Sequence, residues 1–155
     1  MIDFKERPNT IPWPPIILVS AIAIGWFVQK IFPLDWLEGY TIWPLGALMI
    51  IAALATDVWA FVTFSKAHTT LMPNGHSKHL VSHGPFAWSR NPIYVGNVAL
   101  ISGIGLASAN PWQLMAAIVA GILIGQLAIK REEKHLAANF SKQWAAYSSR
   151  VRRWL

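Results

Sequence analysis

Two short runs of this chain concentrate the residues able to do chemistry. The first is His83-Gly84-Pro85-Phe86-Ala87-Trp88-Ser89-Arg90-Asn91-Pro92-Ile93-Tyr94-Val95-Gly96, and the second is Lys130-Arg131-Glu132-Glu133-Lys134-His135-Leu136. In the first, Gly84 permits a positive φ, while Pro85 and Pro92 fix the backbone. Asn91 followed by Pro92 suits a helix start, with the amide as cap and proline in the first turn. A plain helix start and a ligand-binding loop are both compatible with that run. In the second, adjacent carboxylates on a helix point about 100° apart and cannot serve one direction. Glu133 shares a face with Leu136 and Phe140, and Glu132 shares one with Leu136 from a turn below. The alternatives there are a solvated charge run and a carboxylate pair able to hold a cation or take up a proton.

Two weaker constellations lie outside these runs. His68, His76, His79 and His83 bring imidazoles into one loop, but no Cys, Asp or Glu accompanies them there, and Pro73 and Gly75 oppose a regular helix. No metal site is expected. Asp57 falls inside an apolar stretch, where an acid is by default a functional candidate; a small proton-coupled four-helix transporter would use it.

The elements that must position these groups are apolar. Of 155 residues 54% are hydrophobic and only 13% charged, against about a quarter charged in ordinary soluble domains. Nine tryptophans suit a protein with two membrane–water boundaries. Four apolar stretches, 15–32, 42–64, 92–109 and 112–129, each approach the roughly 20 residues a helix needs to cross a bilayer. The last two are joined only by Asn110 and Pro111, a tight helical hairpin. Lys5 and Arg7 precede the first stretch as they would in a signal peptide, but that stretch is too long and no small-residue cleavage site follows before Asp35, so a retained helix is expected. No repeat or low-complexity segment is visible, and residues 1–155 form one domain.

With four spans, twelve of the thirteen Lys and Arg residues fall on the side of the termini and the 65–91 loop, and only Lys30 falls opposite. The positive-inside rule then places both termini and that loop in the cytoplasm; a bacterial inner membrane is the expected location. The net charge of +6 is assigned to anionic lipid headgroups, and no nucleic-acid partner is expected. The absence of cysteine rules out disulfides and thiolate chemistry. Beyond the fourth span, Leu136, Phe140, Trp144, Tyr147 and Val151 recur at helical spacing among charges. They predict an amphipathic helix, either an interfacial anchor or a cover over a site. The expected class is an all-α integral membrane protein of about four transmembrane helices and this C-terminal helix.

The run from Gly84-Pro85-Phe86 through Arg90-Asn91-Pro92-Ile93-Tyr94-Val95-Gly96 resembles the cofactor motif of the isoprenylcysteine carboxyl methyltransferase family, whose relatives include the phospholipid methyltransferases. Glu132-Glu133-Lys134-His135-Leu136 is similar to the family's paired-glutamate motif one helical hairpin later. Phe140-Ser141-Lys142-Gln143-Trp144-Ala145-Ala146-Tyr147, then Val151 and Arg152, resembles its C-terminal pattern. Ala67-His68-Thr69-Thr70 and Pro73 resemble the lead-in. Asn91 stands where many members have His, Phe86 where Tyr is frequent, and Ser141 where Gly is usual.

The resemblance implies methyl transfer from S-adenosylmethionine to an apolar or lipid-like acceptor, at a cytoplasmic site within residues 83–147. It assigns cofactor binding to His83, Gly84, Pro85, Phe86, Asn91, Pro92, Tyr94, Gly96, Glu133 and Trp144, and catalysis to Arg131, Glu132 and Arg90. A carboxylate acceptor calls for a cationic clamp, Arg131 or Arg90. An amine acceptor must lose a proton, with Glu132 or His135 assisting. Either Glu132 or Glu133 is a candidate for the cofactor's ammonium. Gly103 and Gly105 lie inside an apolar stretch and are expected to permit close helix packing rather than to bind a nucleotide. An NADPH-dependent reductase of the sterol type shares a Pro-x-Tyr-x-Gly hairpin and is the alternative enzyme.

Overall fold

The computed structural model describes residues 11–35, 37–39, 42–67 and 80–155, and among them every regular element is helical. In order these are α1 (Trp13–Ile31), α2 (Trp43–Lys66), a 3₁₀ turn (Gly84–Ala87), α3 (Pro92–Ala107), α4 (Pro111–Ile124), a π-helical segment (Gly125–Ile129) and α5 (Lys130–Ser148). Each of α1 to α4 opens with proline in its first turn, where the missing N–H would have had no helical partner anyway. His68, His76, His79, Pro73 and the N-terminal Lys5 and Arg7 lie outside the described residues.

Among the described residues, three helical runs are long and apolar enough to cross a membrane: Trp13–Ile31, Trp43–Lys66 and the continuous run Pro111–Ser148, whose apolar part ends where Lys130 begins the charged half. The stretch expected as a third span of residues 92–109 is the shorter helix Pro92–Ala107. At 16 residues it rises about 24 Å, less than the roughly 30 Å of hydrocarbon. It packs along α2 on one side and α4 on the other, and α1 closes against α4.

The packing inverts the pattern of a water-soluble bundle. Small residues face inward, among them Ala53, Ala60, Ala117, Ala120 and Ala128, while Val19, Phe27, Leu48, Ile51, Val58 and Ile118 are more than half exposed. Such faces would aggregate in water. Against lipid they cost little, and small residues let helix backbones approach. Gly46 and Gly103 make that approach between α2 and α3: a Cβ on Gly46 would lie 2.3 Å from the Ala107 nitrogen, and one on Gly103 2.9 Å from the Gly46 carbonyl oxygen.

Polar groups fasten α1 to α4. The buried Asn110 caps α4 by accepting from the Gln113 N–H and donates to the Gly25 carbonyl, while Gln113 donates to the Ala21 carbonyl. Asp57 is different. Its Oδ1 is buried over Gly96, where a Cβ would lie 2.8 Å away, and has no hydrogen-bond partner among the described residues.

The expected amphipathic helix is present with two changes. It continues from α4 through the π-helical segment, and it breaks locally at Phe140, whose φ of −126° and ψ of 29° are not helical. Its stripe is covered, Tyr147 fully and Leu136, Phe140 and Trp144 partly. Helix geometry ends at Ser148 rather than continuing to Val151, and the last residues fold back onto the loop that precedes α3.

Candidate active site

Gly84 opens the site with φ +62°, the left-handed conformation that its lack of a Cβ permits. A side chain there would lie 2.9 Å from the Thr63 hydroxyl on α2. The 3₁₀ turn that follows buries Pro85 and Phe86. The Phe86 ring meets Phe64 edge-on, with centroids 4.8 Å apart. The Phe86 carbonyl accepts a 2.7 Å hydrogen bond from the Tyr147 hydroxyl of α5. Burial pushes the Tyr147 hydroxyl up to about 12, against the opposing effect of Arg90, so it remains a donor at neutral pH.

The loop is then clasped by the C-terminal tail. The Arg90 N–H donates to the Arg152 carbonyl at 2.9 Å. The Asn91 side-chain amide donates to the Arg153 carbonyl at 2.8 Å, and the Ser89 hydroxyl reaches the same oxygen at 3.5 Å while accepting from the Asn91 N–H. Asn91 therefore sits at the cap position of α3, as its place before Pro92 predicts, but its side chain does not cap the helix. It is spent on the tail instead, a partner 62 residues away that helix-start rules cannot supply.

Glu133 is the electrostatic centre. Arg153 grips it bidentately, Nη2 to Oε2 at 2.6 Å and Nε to Oε1 at 3.0 Å, and Arg90 Nη1 stands 3.3 Å from Oε1. The pairing with Glu133 raises the Arg153 guanidinium further above its ordinary value. The Arg90 guanidinium also lies over the Trp144 ring, 5.4 Å from its centroid, a cation–π contact. The Arg90 Nε is buried without a hydrogen-bond partner among the described residues.

Glu132 points elsewhere, as neighbouring helical positions must. It accepts a short hydrogen bond, 2.5 Å, from the Tyr94 hydroxyl of α3. Burial raises its carboxyl from 4.5 to about 7; the Tyr94 bond opposes that shift and the Glu133 charge adds to it. His135, one turn on, is buried, with the Asn139 amide 3.2 Å from its Nδ1.

Of the residues picked from sequence, Phe86, Arg90, Asn91, Glu133 and Trp144 are linked through these contacts, by way of Tyr147, whose ring meets Trp144 edge-on, and the tail, while Tyr94 and Glu132 form a separate pair beside them. Pro85 and Pro92 are buried supports, and Gly84 and Gly96 are close approaches to α2. His83 is exposed. Arg131 stands partly buried on α5, and the two guanidinium groups on Glu133 are those of Arg90 and Arg153. Arg153 and Ser89 are the site residues missed by sequence reasoning. Arg153 sits in a basic tail whose charges have a sufficient explanation in membrane topology, and Ser89 carries no motif signal of its own.

Comparison with known proteins finds relatives among membrane methyltransferases. Over 109 residues the chain is 30% identical to protein-S-isoprenylcysteine O-methyltransferase of Saccharomyces cerevisiae, across 69% of this chain and 46% of that protein. The chain thus spans about half the length of the curated relative it matches. The phospholipid methyltransferase family matches residues 42–143, a range that takes in α2, the loop, the α3–α4 hairpin and both glutamates. With its loop, hairpin and glutamate pair all inside that match, the chain belongs to the phospholipid methyltransferase family.

Proposed function

We propose that this protein transfers a methyl group from S-adenosylmethionine to an apolar or lipid-like acceptor at the cytoplasmic face of the membrane, with both termini on that side. The observation that carries this reading is the convergence of the 84–96 loop with Glu132 and Glu133 at the end of one helical hairpin. The charge sorting of Lys and Arg supports the orientation.

The side chains fit such a cofactor by type. Glu133 is already neutralised by two guanidinium groups, so Glu132 is the carboxylate for an ammonium group. Arg90, with its buried Nε unsatisfied, is the cation for a carboxylate, either the cofactor's or an acceptor's. Phe86, Tyr94 and Trp144 supply aromatic surface for adenine or a sulfonium. When bound, the sulfonium supplies an electrophilic methyl group to the acceptor nucleophile, a displacement that requires no metal. The protein's part is alignment in a site kept dry by the apolar helices and by the tail clasp. A carboxylate acceptor would be held by Arg90. For an amine acceptor, His135, one turn from Glu132, takes the proton.

Calorimetric titration of the detergent-purified protein with S-adenosylhomocysteine, alongside NADPH, tests the reading. Saturable heat with the first and none with the second is expected, reduced by Glu132→Gln and by Glu133→Gln combined with Asn91→Ala. No heat with S-adenosylhomocysteine, or affinity indifferent to those substitutions, overturns the site assignment. One observation favours a second reading: the unpartnered Asp57 Oδ1 inside α2. Proton flux into liposomes that Asp57→Asn abolishes would favour a proton-coupled transporter instead.

A further inference from the structure

A groove of about 390 Å³ runs along the outer side of α3, α4 and the π-helical segment, and none of the contacts described above fills it. Its floor is Val98, Ala117 and Gly121, its apolar lip is Ile118 and Ile122, and its far end is ringed by Gln126, Lys130, Arg153 and Trp154. Ile118 and Ile122 are 65% and 59% exposed, so the lip faces whatever surrounds the bundle. The glycines keep the floor open. A Cβ on Gly121 would first meet a Val98 methyl at 3.4 Å, and one on Gly125 would meet the Trp154 ring at 3.9 Å.

The groove is therefore amphipathic along its length. Its apolar part lies on the segment that crosses the bilayer, and its polar end coincides with the emergence of α5 at Lys130. Charge is unbalanced at that end. Arg90 and Arg153 share the carboxylate of Glu133, Glu132 is turned to Tyr94, and Lys130 is exposed nearby, so the charged side chains lining the groove are both cations. Trp154 adds an aromatic ring of the kind that settles at headgroup level. From Ile118 to Lys130 the helix rises about 18 Å, enough for the upper part of one acyl chain below a headgroup.

We infer that this groove is a binding site for one anionic phospholipid of the bilayer, its acyl chain along Val98, Gly121 and Ile118 and its phosphate between Lys130 and Arg153. Basic pockets beside membrane helices on the cytoplasmic side favour such headgroups. An ordinary position in the lipid annulus would show no headgroup preference. The same Arg153 that grips Glu133 would face the phosphate, so this site and the carboxylate cluster share a residue. The inference does not depend on the methyltransferase reading.

Native mass spectrometry of the full chain released from micelles doped with phosphatidylglycerol or phosphatidylcholine, of identical acyl composition, tests it. The wild type is expected to retain one phosphatidylglycerol at least fivefold more than phosphatidylcholine. Gly121→Leu, which fills the groove, is expected to lower that retention fivefold or more. Lys130→Gln is expected to erase the preference between the two lipids even if the leucine variant fails to fold. Equal retention of both lipids by the wild type, or a preference that survives Lys130→Gln, overturns the proposal.

Discussion

The Asn91 side-chain amide donates to the main-chain carbonyl of Arg153 at 2.8 Å, joining the residue before α3 to the third residue from the end of the chain. Asn91→Asp replaces the donor with a second acceptor facing that carbonyl, and Asn91→Ala leaves a carbonyl without its partner. A buried polar group so orphaned costs about 1–3 kcal/mol. The expected result is a lower thermal midpoint in detergent for both, larger for Asp, with faster proteolysis of residues 149–155. Unchanged protease sensitivity would mean the tail is held by other contacts.

Glu133 answers two cations, so its loss and the loss of Arg153 should not add. In a double-mutant cycle of Glu133→Gln and Arg153→Gln, a coupling of about 1 kcal/mol is expected for this bidentate but half-exposed pair. Thermal unfolding at low and high salt reads it, and the coupling should shrink as salt rises. A coupling of zero at low salt would remove Arg153 from the cluster.

Glu132, raised from 4.5 to about 7, is mostly protonated at pH 6 and mostly ionised at pH 8. A cationic ligand favours the ionised form, so S-adenosylhomocysteine affinity should rise about tenfold between those values, and Glu132→Gln should flatten the profile. Stability without ligand runs the other way. A raised carboxyl contributes most below pH 4.5 and loses that contribution as pH passes through 7. Thermal midpoints of the wild type should fall relative to Glu132→Gln over that interval.

Gly46→Ala is expected to be among the most damaging single-atom additions to the bundle. Its methyl would stand 2.3 Å from the Ala107 nitrogen and 2.6 Å from the Gly103 carbonyl oxygen, and neither backbone atom can rotate away. Overpacking of this kind costs about 1–3 kcal/mol or more. Gly121→Ala, with only a side-chain methyl at 3.4 Å, should be neutral or slightly stabilising through helix propensity. Thermal midpoints in the same detergent compare them.

The membrane class, the start of α3 at Pro92, the α3–α4 hairpin and the two polar clusters were legible because each has a local signature: hydropathy, backbone restriction or spacing. The clasp was not. Which residues meet Arg90 and Asn91 depends on how the tail folds back after Ser148, and no periodicity encodes that return. The same reason hid Arg153 behind its role as a topology charge. The division between Glu132 and Glu133 was legible only as a difference of direction. That one would be saturated by arginine and the other held by Tyr94 required the neighbouring helix to be placed.

The π-helical segment Gly125–Ile129 accommodates one residue more than an α-helix would over the same turn. Every residue after it is thereby set back by about 100° around the axis relative to an unbroken continuation of α4. The aim of the two glutamates is accordingly a matter of phase, set several residues before them. Had the same residues run on as an unbroken α-helix, every site side chain would still be in the chain, yet the carboxylates would be turned away from Tyr94 and Arg90.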